Sequence, residues 1–297
     1  MMELKTEEEI EYMRENALIV SRTLAEVAKN IKPGVTTRML DTIAEDYLRS
    51  EGAVPGFKGY NGFPATLCTS LNDEVVHGIP GDRVLKNGDI VSIDCGSIKN
   101  GYYGDSAYTF AVGEVKPEVL SLLKRTRESL FLALDHAVAG KRIGDIGSAV
   151  QEHVEPFGYS VVRELVGHGI GKKLHEKPDV PNYGKQGTGI KLQEGLVICI
   201  EPMINMGSKN ILQGKDGWTI RTIDGYPSAH FELTVVVKKE EPDILSTFRY
   251  VEEVLGIVFT TALLLVVISE YRVPVGSESP CGVTPPPMVI NEAPAAT

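Results

Sequence analysis

The chain has 297 residues, 42% hydrophobic and 24% charged, a balance that is typical of globular proteins and excludes a wholly disordered chain. Its formal net charge of −10 excludes a general nucleic-acid binder, which needs a basic face. The four cysteines lie far apart without a CxxC pair, which excludes a disulfide scaffold and favours a reducing compartment. The acidic N-terminus lacks the basic start and apolar run of a signal peptide, so we expect a cytoplasmic protein.

Two pairs of helices are predicted, and each pair is followed by a strand-rich stretch. The first helix begins at a capping box formed by Thr6 and Glu9. The helices are expected at about residues 6–30, 37–50, 117–138 and 143–157. The strands and turns are expected at about residues 53–113 and 159–239. Because the order of two helices and then strands occurs twice, the chain is predicted to contain an internal duplication.

Matching segments support this duplication. Gly34 and Gly52 bracket the second helix 18 residues apart, and two glycines bracket the fourth helix at the same spacing. The segment LKNGDIVSID, which ends at Asp94, also matches LQEGLVICIE, which ends at Glu201. We therefore predict two αα-β halves related by a pseudo-two-fold axis, with Asp94 and Glu201 at equivalent positions.

A β-hairpin with Asn100-Gly101 at a type I′ turn is predicted to bring two aspartates together. The turn places Gly96 opposite Asp105, with open space beside it, and Asp94 on the same face as Asp105, about 7–8 Å away. Two converging carboxylates repel each other unless a cation lies between them. The alternative is that both aspartates face solvent on an edge strand, although their apolar neighbours disfavour it.

Three further side chains extend this set of candidate metal ligands. Glu201 ends the apolar strand LVICIE, and Glu232 is expected in the middle of the strand HFELTVVV. Each needs a metal ion or a Lys or Arg partner, because burying an unpaired charge is costly. His168 lies in the glycine-rich segment VGHGIG, where a purely structural histidine is the alternative. Four carboxylates and one imidazole suit Mn, Fe, Co or Zn in a two-metal site for hydrolysis.

Five segments resemble motifs of the bacterial type I methionine aminopeptidases: SIDCG, YYGDSAYTF, VGHGIGKKLHEKP, ICIEPM and SAHFELTVVV. The resemblance covers about residues 3–256 and implies an α+β pita-bread fold, with two pseudo-symmetric αα-β halves around a dimetal site. It implies removal of the initiator methionine from nascent proteins and peptides by a metal-bridging water or hydroxide. The metal ligands that it implies are Asp94, Asp105, His168, Glu201 and Glu232.

The resemblance also implies roles for individual residues. Two divalent ions per chain (Co, Mn, Fe or Zn) would be bridged by Asp105 and Glu232, and Glu201 would act as general acid and base. His77 and His175 would bind the scissile amide and stabilise the tetrahedral intermediate. The pocket for the methionine side chain is expected at Tyr60, Phe63, Cys68 and Trp218. Leu174 stands where relatives often have an aromatic residue, so the pocket is expected to differ in shape.

Two other functions stay open for this sequence. Xaa-Pro aminopeptidases, prolidases and creatinases share the fold but usually carry an additional N-terminal domain. A non-catalytic protein that docks on ribosomes or RNA would typically lose ligands, whereas all five positions are present here. The expected partners are peptides and nascent chains beginning with Met, with the ribosome as a further candidate. No nucleic-acid or membrane partner is expected, and a monomer is the default.

The last 41 residues form a predicted extension. The aminopeptidase domain is expected over residues 1–256 and the extension over residues 257–297. Its apolar stretch, residues 257–268, is only 12 residues long, whereas a membrane-spanning helix needs about 20. The Pro-rich remainder is typical of a disordered tail. No function is assigned to this extension.

Overall fold

The structure is a computed structural model that describes residues 2–257, so the predictions made for residues 258–297 lie outside the described residues. The helices are α1 (Glu7–Ala28), α2 (Thr37–Ser50), α3 (Pro117–Leu134), α4 (Ile143–Val154) and α5 (Arg249–Val254). The strands of the first half are β1 (Val54–Pro55), β2 (Leu67–Leu71), β3 (Glu74–Val76), β4 (Ile90–Lys99) and β5 (Tyr102–Ala111). Those of the second half are β6 (Ser160–Val161), β7 (Gly167–Gly169), β8 (Glu176–Val180), β9 (Val197–Ile200), β10 (Met203–Asn205), β11 (Ile211–Gln213), β12 (Ile220–Thr222), β13 (Ser228–His230), β14 (Leu233–Val236) and β15 (Asp243–Ile244).

The four predicted helices are present, and two of them end more than two residues earlier than expected. The Thr6–Glu9 capping box begins α1, with the Thr6 side chain accepting from the Glu9 backbone and the Glu9 carboxylate accepting from the Thr6 backbone. Helix α3 stops at Leu134, and Val138, expected in the helix, instead forms a parallel β-bridge with Lys238. Helix α4 gives way to a 3-10 turn, Glu155–Phe157, where Pro156 has no backbone N–H to continue the helix. No helix among the described residues is long and apolar enough to cross a membrane.

The predicted hairpin is confirmed in its turn and in its register. Asn100 and Gly101 have φ angles of 53° and 79°, as a type I′ turn requires. Strands β4 and β5 pair so that Gly96 lies opposite Asp105 and Asp94 lies opposite Ala107. Strands β1 and β2 extend this sheet along β4. The second half builds the corresponding five-stranded sheet in the order β15-β14-β9-β7-β8.

Equivalent backbone contacts in the two halves confirm the duplication. The N–H of Gly34 donates to Leu85 O at 2.9 Å, and the N–H of Gly140 donates to Leu192 O at 3.0 Å. All four glycines that bracket α2 and α4 have positive φ, which glycine adopts without strain. The matching apolar positions of α2 and α4 are fully buried: Leu40, Ala44, Leu48, Ile146, Val150 and Val154. Each half therefore closes its helix pair onto its sheet in the same way.

The halves meet where β5 runs beside β13 and β14. Thr109 donates its side-chain hydroxyl to His230 O at 2.7 Å, and Thr234 donates its hydroxyl to Asp105 O at 2.9 Å. Between these two contacts, Ala107 and Glu232 form a β-bridge. The pseudo-two-fold axis thus passes between strands that carry candidate ligands, which brings both halves' carboxylates to one place.

Candidate metal centre and substrate pocket

The β4–β5 hairpin supplies the first two carboxylates. Asp105 is 4% exposed, and Oδ1 of Asp94 and Oδ1 of Asp105 are buried without a hydrogen-bond partner. This excludes the alternative of two solvent-facing aspartates. The open space expected beside Gly96 is wrong, because a Cβ at that position would overlap the ring of Phe57. Glycine is required there so that an aromatic ring can pack against the strand.

The two glutamates occupy breaks between short strands. Glu201 follows β9 directly, and Pro202 separates it from β10. Glu232 lies between β13 and β14, so its expected position in the middle of one strand is wrong. Its backbone N–H donates to Ala107 O at 2.9 Å, across the boundary between the halves. At these breaks the chain passes from one sheet to another, and both side chains are free to turn towards the hairpin.

His168 presents a ring nitrogen to these carboxylates. Its Nδ1 donates to Gly169 O at 3.0 Å, which leaves the lone pair on Nε2. Nε2 lies 3.5 Å from Glu201 Oε1 and 3.9 Å from Asp105 Oδ2. Among the described residues, no lysine or arginine lies within ion-pair distance of the four carboxylates. The Lys or Arg partner left open for the glutamates is therefore absent from this part of the chain.

Burial makes the four negative charges costly. It raises the pKa of Asp94 to about 6 and the pKa values of the other three carboxyls well above their usual range, where mutual repulsion adds to the effect. Burial lowers the pKa of His168 to about 3, so its imidazole stays neutral and can act as a ligand. Two divalent cations would balance four carboxylates. Carboxylate oxygens that are buried without a hydrogen-bond partner, together with one neutral imidazole, are suitable ligands for two divalent cations.

Cys199 was not predicted as a site residue, yet it lies inside this cluster. The donor atoms of Asp105, His168, Cys199 and Glu232 lie within 4.8 Å of one another. Burial raises the pKa of the Cys199 thiol well above its usual range, and its Sγ lies 3.5 Å from the hydroxyl of Thr234. Oxygen and imidazole donors suit a hydrolytic pair of Mn, Fe, Co or Zn ions, whereas thiolates predominate in structural zinc sites. The carboxylates and His168 are the better candidates.

Three further histidines line the cavity into which the candidate ligands face. His77 follows β3 with a φ of +60°, and burial lowers its pKa to about 4. The ring of His175 packs edge-on against His168, with centroids 4.4 Å apart. His230, which was not predicted as a site residue, is 2% exposed and has Nε2 3.5 Å from Glu201 Oε2. Its spacing of two residues from Glu232 was the available signal, because alternate strand residues share a face.

The pocket residues expected from the resemblance lie beside the carboxylates. Tyr60, Phe63, Cys68 and Trp218 line one cavity of about 270 Å³ together with all five candidate ligands, His77 and His175. The rings of Phe63 and Trp218 meet edge to face at 5.1 Å, and Cys68 pairs with Asp94 across β2 and β4. Leu174, 2% exposed, also lines this cavity. An apolar end and a charged end therefore share one cavity.

Known proteins share both this sequence and this fold. The family model of Metallopeptidase family M24 matches residues 11–239. The methionine aminopeptidase of Clostridium acetobutylicum is 52% identical over 247 residues, which cover 83% of this chain and 99% of that protein. Methionine aminopeptidase 1 of Bacillus subtilis is 49% identical over 246 residues, with 83% and 99% covered.

Solved structures agree with these relatives. The methionine aminopeptidase of Rickettsia prowazekii superposes with a TM-score of 0.82 at 40% identity, covering 83% of this chain and 100% of that one. The X-Pro aminopeptidase of Thermotoga maritima has a lower TM-score of 0.66 at 25% identity, and this chain covers 62% of it. These neighbours confirm the pita-bread fold predicted from the sequence. The chain therefore belongs to the M24 metallopeptidase family, in its methionine aminopeptidase branch.

Proposed function

We propose that this protein is a metal-dependent exopeptidase that removes the N-terminal methionine from peptides and nascent proteins. The observation that carries the proposal is the cavity itself, in which four buried carboxylates face an apolar pocket and have no lysine or arginine partner within residues 2–257. Structural ion pairs do not leave buried carboxylate oxygens unpaired beside an open cavity. A site for cations next to a site for a short apolar side chain accounts for both features.

Two divalent ions would be held by Asp94, Asp105, His168, Glu201 and Glu232. The close grouping of Asp105, His168 and Glu232 donor atoms supports this assignment, as does the 3.5 Å approach of Glu201 to His168. Co, Mn, Fe and Zn all accept these ligands. When bound, such a pair lowers the pKa of a shared water and polarises the attacked carbonyl.

The side chains of the cavity bind the substrate, transfer the proton and donate hydrogen bonds to the amide. The cavity wall of Tyr60, Phe63, Cys68 and Trp218 binds the flexible thioether of methionine and places the first peptide bond beside the carboxylates. Glu201 accepts the proton of the attacking water and returns it to the leaving amine. His77, which burial keeps neutral, and the more exposed His175, whose pKa is lowered by partial desolvation, donate N–H groups to the amide as its oxygen gains charge.

The substrates and the active unit follow from this arrangement. Free peptides and nascent chains with N-terminal Met are the proposed substrates, and nascent chains make the ribosome a candidate partner. One chain carries every proposed ligand, histidine and pocket residue, so we propose a monomer as the active unit. The proposed location is the cytoplasm, where nascent chains and reduced cysteines occur together.

A metal add-back assay on the chelated full-length chain tests the proposal. Co, Mn, Fe and Zn are added singly, and release of the first residue is measured from Met-Gly-Met, Leu-Gly-Met and Ala-Pro-Ala. We expect metal-dependent release of Met alone. Asp105→Asn should abolish it, whereas Asp82→Asn, a change at an exposed partner of Arg38, should not. Cleavage before proline, or no cleavage with any metal, would contradict the proposal.

A further inference from the structure

The hydroxyl of Tyr60 is directed at a catalytic side chain rather than at the methionine pocket. Its Oη lies 2.8 Å from Nδ1 of His175, and the two rings are tilted by 58° with centroids 5.4 Å apart. Tyr60 and His175 are 115 residues apart in the chain. A pocket wall needs only the ring, so the hydroxyl contact calls for a separate explanation.

The segment that carries Tyr60 is closed on itself. Gly59 donates to Phe63 O at 2.7 Å, and Phe63 donates to Tyr60 O at 2.9 Å, around a 3-10 turn. Glu45 anchors both ends of the segment, because it binds Lys58 at 2.7 Å and the Thr66 hydroxyl at 3.2 Å. The hydroxyl is therefore presented at a fixed place by a short closed loop.

The segment that carries His175 is fixed from the opposite side. Glu176, the next residue, forms a buried ion pair with Lys5 at 2.7 Å and accepts from the Lys173 backbone at 3.2 Å. The ring of His175 also packs against His168. These contacts hold the ring of His175 in place. They do not determine which of its two nitrogens carries the proton.

A neutral imidazole has one N–H, so a hydrogen bond at one nitrogen decides the state of the other. Burial raises the pKa of Tyr60 above its usual value, so the phenol keeps its proton and can donate it. When the hydroxyl donates to Nδ1, the imidazole proton must be on Nε2. Without that donor, both tautomers are accessible, and one of them offers the substrate a lone pair instead of an N–H.

We infer that Tyr60 is a positioning residue, whose hydroxyl donates to Nδ1 of His175 and so keeps the proton on Nε2 for donation to the scissile amide. The inference rests on the role proposed above for His175. It gives Tyr60 two separable functions, with its ring in the pocket wall and its hydroxyl on the histidine.

Nitrogen NMR of the zinc-loaded full-length protein, labelled with 15N at its six histidines, tests the contact without reference to peptidase activity. The His175 signals are assigned by their loss in His175→Gln. We expect the unmodified protein to show a pyridine-type Nδ1 and a protonated Nε2. Tyr60→Phe should shift both signals towards a mixture of tautomers, and Tyr103→Phe, the matched loss of a nearby hydroxyl, should not. A protonated Nδ1 in the unmodified protein would overturn the inference.

Kinetics on Met-Gly-Met separates the two functions of Tyr60. Tyr60→Phe keeps the ring, so we expect KM to change less than about twofold while kcat falls about tenfold, the upper end for one neutral hydrogen bond. In a His175→Ala background the same substitution should cause no further loss. A change in KM alone, or an additive loss in that background, would overturn the inference. If the unmodified protein cleaves no peptide, the proposed function fails, and the NMR comparison still decides the role of Tyr60.

Discussion

Asp94→Asn is expected to stabilise the chelated protein and to destabilise the metal-loaded protein. The side chain has one enclosed oxygen without a hydrogen-bond partner, and burial is the main reason why its pKa is raised from 3.8 to about 6. Without a cation, ionising this group in the folded state costs free energy that the unfolded chain does not pay. An asparagine of nearly the same shape carries no such cost.

The pKa change fixes both the sign and the size of the effect. Below pH 3.8 Asp94 is protonated in both states, and between pH 3.8 and about 6 the folded state holds more protons, so stability falls as the pH rises. Above pH 6 the full cost remains, which at about 1.4 kcal/mol per pH unit amounts to about 3 kcal/mol. Relief of repulsion on Asp105 and Glu201 acts in the same direction.

Urea unfolding at pH 8, in EDTA and in excess manganese chloride, measures this difference. In EDTA the free energy of unfolding of Asp94→Asn should exceed that of the unmodified protein by about 3 kcal/mol, and the gain should shrink towards pH 4. In manganese the order should reverse, because a lost ligand weakens binding to the folded state. Asp82→Asn serves as the exposed control, with the same small effect in both solutions. A variant that is less stable in EDTA would refute the reasoning.

Three further outcomes are expected. His175→Ala should lower kcat by about 10²- to 10³-fold while metal content by mass spectrometry stays unchanged, and loss of metal would contradict the assigned role. Lys5→Met should cost about 3–5 kcal/mol in urea unfolding because it leaves Glu176 buried without its cationic partner, whereas Lys238→Met should cost under about 1 kcal/mol because its partner Glu7 is 81% exposed. Equal losses in the two lysine variants would refute that comparison. Deleting residues 257–297 should leave methionine release unchanged, and a large loss would show that the extension contributes to the fold.

Local chemistry made part of the site predictable from the sequence. The Asn100-Gly101 turn fixes the register of β4 and β5, so the juxtaposition of Asp94 and Asp105 follows from two adjacent residues. The duplication adds Glu201, because its segment repeats the one that ends at Asp94. These conclusions depend on short-range geometry and on self-similarity, both of which one sequence contains.

Other features depend on contacts that no local pattern records. The position of Glu232 in a break between strands is set by Ala107, in the other half of the molecule. The contact between Tyr60 and His175 joins two loops that only the tertiary fold brings together. Strand periodicity predicts which face a residue occupies but not which residue of a distant strand it meets.

Anomalous diffraction from crystals of the full chain grown with cobalt chloride tests the dimetal assignment most directly. We expect two anomalous peaks inside the cavity, with the Cys199 sulfur outside the coordination sphere of both. The peaks should be bounded by Asp94, Asp105, His168, Glu201 and Glu232. A cavity without peaks, or a single peak bound through the Cys199 sulfur, would contradict it.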